Sequence, residues 1–241
     1  MYPWKNVRTL CLVLLLIPIA HFVYVAARDT LANMNSSPEV WAGEVEAYAA
    51  ANQNSSAPNN PVIIVGGQRV RRWQGLEDIL APRPVLMRGL GNAIVEDITH
   101  NYSALVGHNR PQAVVFLPGD SEFHIRDNKD ADDLVSAIRD LVALDAKLIA
   151  TERFYIFTPL KTRTHPRDHA KIDRTTQLLK EWSAGNERIH IIDANTLLTD
   201  ASGAPRPQYF RGDGIQLNER GYLRLSMMLE SVLEAEEATS T

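Results

Sequence analysis

The sequence is poor in cysteine, in net charge and in nucleotide-binding glycine patterns. Its 241 residues include one cysteine, Cys11, which excludes an internal disulfide, so cysteine usage does not indicate the redox compartment. The 25 Lys and Arg nearly balance the 29 Asp and Glu, and this balance gives no argument for a nucleic-acid partner. Gly89 and Gly91 lack the third glycine of a dinucleotide fingerprint, and no repeat or metal motif occurs. We therefore expect no nucleic acid, cofactor or metal.

One long apolar run is present near the start of the chain. Residues 9–27 contain no Asp, Glu, Lys or Arg, and a run of this length predicts a transmembrane helix. Lys5 and Arg8 precede it, so the positive-inside rule places residues 1–8 in the cytoplasm and the rest outside, in the periplasm or extracellular space. The alternative is a signal segment cleaved near the small residues 25–27, which would give a secreted protein. The run is longer than a usual signal core, and we favour the retained anchor.

Residues 28–60 predict a polar stalk, a helix and a linker. Ser37 followed by Pro38 is typical of a helix start, with serine at the N-cap and proline at the first helical position. We expect this helix to dock on the domain through one apolar face, formed by Val40, Trp41, Val45 and Tyr48. The domain itself is expected over residues 61–236, with a short tail at 237–241.

From residue 61 onward, short apolar runs alternate with amphipathic segments. The runs predict five strands, at 62–65, 84–87, 112–117, 154–157 and 189–192, and the segments between them predict helices, at 70–80, 94–105, 131–146 and 170–183. Continuous apolar strands separated by helices indicate a parallel sheet covered on both faces. Because such crossovers are right-handed, we expect an α/β fold: a three-layer α/β/α, doubly wound, five-stranded domain.

Ligands of such domains bind beyond the carboxyl ends of the strands. This rule selects three loops that follow strands, 66–69, 88–92 and 118–124, and a fourth near the end of the chain, 211–217. All four loops carry polar side chains. We expect these side chains to gather at one edge of the sheet.

The same loops resemble the conserved blocks of a known family. Asp213-Gly-Ile-Gln216-Leu-Asn218 is similar to the last block of the SGNH (GDSL-type) hydrolases, which reads Asp-Gly-x-His-Leu-Asn. The first block resembles the subgroup sequence Gly-Ser-Ser-Ser-Ile-Arg-x-Trp. The resemblance covers roughly residues 38–235 and includes Trp41 and four segments, Val65–Trp73, Arg88–Asn92, Pro118–Glu122 and Pro205–Gln216. It implies the fold of these esterases and acylhydrolases.

The resemblance also implies that most catalytic positions are replaced. It places the nucleophilic serine at Gln68 and the histidine at Gln216, while Asp213 matches the aspartate. The oxyanion glycine and asparagine fall on Asn92 and Ser121. A glutamine amide is neither a comparable nucleophile nor a base near neutral pH.

We therefore expect a catalytically inactive member of the fold that binds an acylated or carbohydrate-like ligand, or a protein partner, of the cell envelope. The expected ligand-binding residues are Gln68, Arg69, Asn92, Ser121, Asp213 and Gln216. One alternative is an active ester hydrolase or acyltransferase with replacement residues, Ser121 and Asp213 among them and His124 three residues after Ser121. Another is a structural envelope component whose cleft has no ligand.

Other polar residues near these loops have several interpretations. Asp120, Glu122 and His124 alternate, so an extended segment would point all three the same way; we favour a solvated loop over a weak metal site because strong sites need more histidine. His165 and His169 have helical spacing, but Pro166 favours a loop, and we interpret both histidines as surface residues.

Three arginines follow Gln68. We expect Arg71 to be structural, because it matches the resembled subgroup, whereas Arg69 would face the cleft and favour an anionic ligand.

Overall fold

The computed structural model describes residues 8, 14–25, 37–54, 58–107, 109–124 and 128–239. The chain divides into two compact units, Met1–Ser36 and Ser37–Thr241. In the first unit, residues 14–25 are helical. Within the described ranges, no helix is both long enough and apolar enough to cross a membrane. Residues 9–13, 26 and 27 of the predicted span lie outside the described residues.

The second unit is built on one parallel sheet of five strands. The strands are β1 (Val62–Gly66), β2 (Val85–Gly89), β3 (Ala113–Leu117), β4 (Arg153–Phe157) and β5 (Ile189–Ile192). Their order is β2-β1-β3-β4-β5, and every neighbouring pair is parallel. The predicted sheet is therefore confirmed. The central strands β1 and β3 are buried at every position, so both of their faces are covered.

Helices cover both faces of the sheet. They are α1 (Ala42–Asn54), α2 (Gln68–Arg71), α3 (Leu76–Ile79), α4 (Val95–Val106), α5 (Ala131–Leu148), α6 (His169–Ser183), α7 (Asn195–Leu198) and α8 (Glu219–Thr239). Residues of α1, α4, α5 and α6 share one core with alternate strand residues such as Ile63 and Phe116. The other core combines α2, α3, α7 and α8 with Ile64 and Val115. Alternation along the strands therefore divides the interior into two layers.

The prediction of one continuous helix over residues 70–80 is wrong. The structure has two short turns, α2 and α3, separated by Gly75, whose φ of +77° lies in the left-handed region that favours glycine. Between the turns, Trp73 is buried, and its Nε1 donates a hydrogen bond to Ser226 Oγ on α8 at 2.8 Å. This interruption lets a large ring enter the core close to the first candidate loop.

The predicted docking of the N-terminal helix is confirmed. Trp41 is buried against the helices of one sheet face, with Val40, Val45 and Tyr48 packed beside it. The Tyr48 hydroxyl donates to the carbonyl oxygen of Gly89, at the end of β2, at 2.8 Å. The compact unit accordingly begins at Ser37 and includes this helix. Ser37 makes no capping bond to the helix backbone, because its hydroxyl donates to the Glu39 carboxylate instead.

Candidate functional site

The strand order creates a crevice at one point of the sheet. β1 lies between β2 and β3, so the chain reverses its direction of winding between β1 and β3. In parallel sheets this switch point is where ligands bind, beyond the carboxyl ends of the strands. Gln68 follows β1 and Ser121 follows β3, which places the expected nucleophile and oxyanion positions on the two sides of this crevice.

The loops after β1, β2 and β3 are in close contact. The Leu90 amide, after β2, donates to the Gly66 carbonyl at 2.9 Å. A Cβ atom at Gly67 would lie 2.8 Å from the Ala93 carbonyl oxygen, and one at Gly119 would lie 3.6 Å from the same oxygen. Glycine at 67 therefore permits close approach of backbone segments. Half-buried Asn92 lies in the turn between these contacts.

At the expected nucleophile position, the Gln68 side chain is held by a neighbouring arginine. Its amide oxygen accepts hydrogen bonds from Nε and Nη2 of Arg72, both at 3.0 Å, when the amide is oriented to satisfy both groups. Arg72 directly follows the short helix α2, which begins at Gln68. This position therefore carries a polar, hydrogen-bonded amide without a nucleophilic hydroxyl.

The loop that contains Asp213 is ordered by its own hydrogen bonds. Asp213 Oδ1 accepts from the backbone amides of Ile215 and Gln216, each at 2.9 Å. Burial alone would raise the pKa of the Asp213 carboxyl, but these two bonds, together with Arg72 and Arg211, outweigh it and hold the pKa below its ordinary value. The carboxylate is therefore present as an anion at neutral pH.

The same loop is fastened to the segment that follows β4. The Thr164 hydroxyl donates to the Asp213 carbonyl at 2.7 Å, and the Arg163 amide donates to the Gly214 carbonyl at 2.9 Å. Gly214 has a φ of +69°, and a Cβ there would lie 2.8 Å from Thr164 Oγ1. These contacts bring the fourth candidate loop to the sheet edge, although it belongs to the C-terminal end of the chain.

Gln216 occupies the position at which the resemblance expects a histidine. Its backbone is fixed, because its carbonyl accepts from the Arg211 amide at 2.7 Å. Its side-chain oxygen Oε1 is buried and accepts no hydrogen bond from the described residues. A buried acceptor without a donor carries a desolvation penalty of about 1–3 kcal/mol, so a ligand that donates a hydrogen bond here would relieve it.

Arg69 is a buried cation beside the same crevice. Its side chain is 2% exposed, and Nη1 donates to the Pro118 carbonyl, after β3, at 3.3 Å. Nη2 lies 3.7 Å from Asp120 Oδ1, while Nε and Nη2 make no hydrogen bond to any described residue. Arg71 on the other hand points away, and its Nη1 pairs with Glu44 of α1 at 3.0 Å. The interpretation of Arg71 as structural agrees with this contact.

The expectation of an extended segment at 120–124 is wrong. Asp120, Glu122 and His124 therefore do not all point in one direction. Asp120–Glu122 form one turn of 3₁₀-helix. Glu122 is 1% exposed; its carboxylate accepts from the Val95 amide at 2.9 Å and pairs with Lys129 at 3.1 Å. Burial raises the pKa of Glu122 to about 7, against the opposing effect of Lys129. Glu122 therefore anchors the start of α4, whereas His124 pairs with Asp168.

Ser121, also in this turn, is 5% exposed. Among the described residues, no histidine forms a hydrogen bond with its hydroxyl, and His124 pairs with Asp168 instead. Geometry therefore does not bring Ser121 and His124 together as a nucleophile and its base.

The structure assembles a cluster that the sequence did not predict, made of His124, His165 and Asp168. His165 is half-buried, not a surface residue as expected, and its ring lies 4.0 Å from that of His124, centroid to centroid. The other histidine interpreted as a surface residue, His169, is half-buried as well and contacts the Thr162 carbonyl at 2.8 Å. Proline at 166 starts a 3₁₀ turn that leads into α6. The 40 residues between the two cluster histidines gave no sequence signal; only the adjacency of β3 and β4 brings the histidines together.

Comparison with known proteins reveals the fold. No protein-family model matches the chain, and no curated protein sequence matches it. A Streptococcus pneumonia protein provisionally described as a platelet activating factor matches with a TM-score of 0.73 at 16% identity, over 89% of this chain and 99% of its own. A Bacteroides fragilis protein provisionally described as an acylhydrolase gives 0.66 at 19%, over 77% and 94%. A GDSL-like lipase from Bacteroides thetaiotaomicron gives 0.65 at 17%, over 80% and 98%. The SGNH/GDSL-type hydrolase fold is therefore confirmed.

Proposed function

We propose that this chain is a catalytically inactive, ligand-binding form of the SGNH/GDSL hydrolase fold. The observation that carries the proposal is the pair of glutamines at the expected nucleophile and base positions. Gln68 is held by Arg72 through its amide oxygen, and Gln216 presents a buried amide oxygen. Ester hydrolysis on this fold needs a hydroxyl and a base that accepts its proton, and neither amide supplies one.

The expected loss of rate is large. In a serine hydrolase, removal of the nucleophile or of the histidine alone costs on the order of a millionfold in kcat, and the remainder comes from oxyanion stabilisation and binding. Here both positions are replaced, and the expected oxyanion positions carry Asn92 and Ser121. Their side chains can still donate hydrogen bonds. The site therefore has the means to bind a ligand without the means to cleave it.

The polar groups of the crevice favour a ligand with both acceptors and donors. Buried Arg69 offers Nε and Nη2 to an anionic or carbonyl oxygen. Gln216 Oε1 offers an acceptor to a hydroxyl or amide group of the ligand. An acylated or carbohydrate-like molecule of the cell envelope has both kinds of group, and the matched acylhydrolase and lipase make acylated compounds the first class to test. The ligand could instead be a protein partner whose surface presents the same donor and acceptor groups.

We place this function outside the cytoplasm. The apolar run at residues 9–27 follows Lys5 and Arg8, and the positive-inside bias then orients a single retained span with the second unit outside. A retained anchor would keep the protein attached to the membrane, where acylated envelope compounds are found. Cleavage of this segment as a signal would instead release the same domain as a secreted protein.

Ester turnover and covalent labelling test the proposal. The full chain, purified in detergent, is assayed on short activated esters and treated with a fluorophosphonate probe that labels activated serines. We expect turnover no faster than that of an unrelated protein, and no labelling. Ser121→Ala is the matched control, because Ser121 is the replacement nucleophile of the alternative, active reading. Turnover or labelling that disappears in Ser121→Ala would show instead an enzyme that uses replacement residues.

A further inference from the structure

We propose that His124, His165 and Asp168 form a binding site for one divalent transition-metal ion of the Zn²⁺ class. Each of the three side chains offers one ligand atom, and these atoms lie within 4.8 Å of one another. Two imidazoles with one carboxylate are a donor set that suits such ions. This inference does not depend on the proposed loss of ester chemistry.

The contacts within the cluster bring the donor atoms together. His124 Nε2 is in direct contact with Asp168 Oδ2. The two imidazole rings lie 4.0 Å apart with an angle of 37° between their planes. A tetrahedral Zn²⁺ ion with bonds of 2.0–2.1 Å needs ligand atoms about 3.3 Å apart. On binding, rotation of the side chains would have to bring the three ligand atoms, which lie within 4.8 Å of one another, to this spacing.

A second observation points to a ligand at this place. Nδ1 of His165 is buried, and it makes no hydrogen bond with the described residues. Oδ2 of Asp120 lies 3.5 Å from this nitrogen. Buried ring nitrogens are normally satisfied, and those that are not carry a desolvation penalty. An ion ligated by Nδ1 of His165, together with His124 and Asp168, would satisfy this nitrogen, and Asp120 would lie beside the bound ion.

Each ligand of the cluster lies in or beside a short 3₁₀ turn. His124 follows the 3₁₀ turn after β3, whereas His165 precedes the turn that leads into α6. The Asp168 amide donates to the His165 carbonyl at 3.2 Å. Lys171 Nζ lies 3.9 Å from the other carboxylate oxygen, Oδ1. The oxygen that faces His124 is thus the one offered to the ion.

The cluster is connected to the candidate site. Asp120 contacts His165 on one side and Arg69 on the other, through Oδ2 and Oδ1. Arg69 is the neighbour of Gln68 in sequence and donates to the Pro118 carbonyl at the end of β3. With three protein ligands, the ion would retain an open coordination position. That position could bind an oxygen of the same ligand that Arg69 attracts.

Zinc binding to the full chain tests the proposal. The protein is purified in detergent, stripped of metal with a chelator and dialysed against buffered Zn²⁺ before its metal content is measured. We expect one Zn²⁺ per chain, and at least a tenfold loss of affinity in His124→Ala, in His165→Ala and in Asp168→Asn. Zn²⁺ should also raise the Tm of the wild type, because an ion that binds only the folded state stabilises it.

His100→Ala is the matched control, because His100 is an exposed histidine on α4 outside the cluster. This variant should bind Zn²⁺ as the wild type does. Unfolding of each variant in the absence of metal shows whether that variant folds. If an alanine variant does not fold, Asp168→Asn decides the test, because it keeps the size of the side chain. Absence of stoichiometric Zn²⁺ would overturn the proposal. If all three cluster variants still bind Zn²⁺ as the wild type does, the proposal is also overturned, because the metal is then an adventitious ion only.

Discussion

Asp213 and Gln216 are joined by a hydrogen bond of 2.9 Å from the Gln216 backbone amide to Asp213 Oδ1. In a hydrolase with this loop, a histidine at 216 would need its ring oriented by the aspartate three residues before it. The loop therefore fixes Asp213 relative to the backbone of residue 216 through a direct hydrogen bond.

Introducing the serine and the histidine that the resemblance expects at 68 and 216 should give weak esterase activity. The double variant Gln68→Ser, Gln216→His supplies a nucleophile and a base next to Asp213, whereas either single variant should stay inactive because the two groups act as a unit. The rate should be low, since each missing oxyanion donor costs about a hundredfold or more. Turnover of short activated esters by the full chain measures it.

Two further variants provide controls for this experiment. Adding Asn92→Gly and Ser121→Asn to the double variant should raise the rate, because these changes restore the expected oxyanion residues. Adding Asp213→Asn to the double variant should remove most of it. A folded quadruple variant without activity would indicate that the crevice differs from an esterase site in shape as well as in chemistry.

Gly91→Ala should destabilise the second unit. A Cβ at residue 91 would lie 2.2 Å from the Trp41 ring, so the buried indole must move, at a cost of about 1–3 kcal/mol. Gly43→Ala is the matched control: nothing lies within 4 Å of its added Cβ on α1, and alanine should stabilise the helix by about 0.5–1 kcal/mol. Unfolding free energies of the two variants should thus change in opposite directions. Equal stability would mean that Trp41 adjusts freely.

The contribution of Glu122 to stability should fall as pH rises. Its pKa is raised from 4.5 to about 7 in the folded state, so the folded protein binds more protons than the unfolded chain between these values. The contribution is complete below pH 4.5 and lost as pH rises through about 7. Urea unfolding of the wild type and of Glu122→Gln should show a larger advantage for the wild type at pH 5 than at pH 8. An advantage that grows toward pH 8 would mean that Lys129 keeps the carboxylate charged.

Residues 9–27 should behave as a retained membrane anchor. Cell fractions should contain the full-length chain with the membranes after an osmotic wash, with residues 28–241 accessible to protease from outside. Leu14→Arg together with Leu16→Arg should release the protein, because each charge within an apolar span costs about 2.5–3.5 kcal/mol. A soluble protein whose mature N-terminus lies near Arg28 would instead identify a cleaved signal.

The sequence by itself determined the layers of the fold. Runs such as 62–65 and 113–117 are apolar at every position, and only a sheet with helices on both faces buries all of them. The helices α4, α5 and α6 were predicted to within about two residues, because apolar periodicity is a local property of the chain. The loop blocks, including Asp213 and Gln216, were also recognisable, since their pattern is contiguous.

Only the tertiary structure decided which side chains meet. Glu122 and His124 are two residues apart, yet one is buried under α4 and the other lies beside His165. Periodicity could not show this, because the 3₁₀ turn at 120–122 depends on contacts with Val95 and Lys129. The cluster of His124, His165 and Asp168 depends on the pairing of β3 with β4, a contact between distant parts of the chain. The sequence gives the chemical type of each side chain, but the distances between these side chains, which make them a site, follow from the order of the strands.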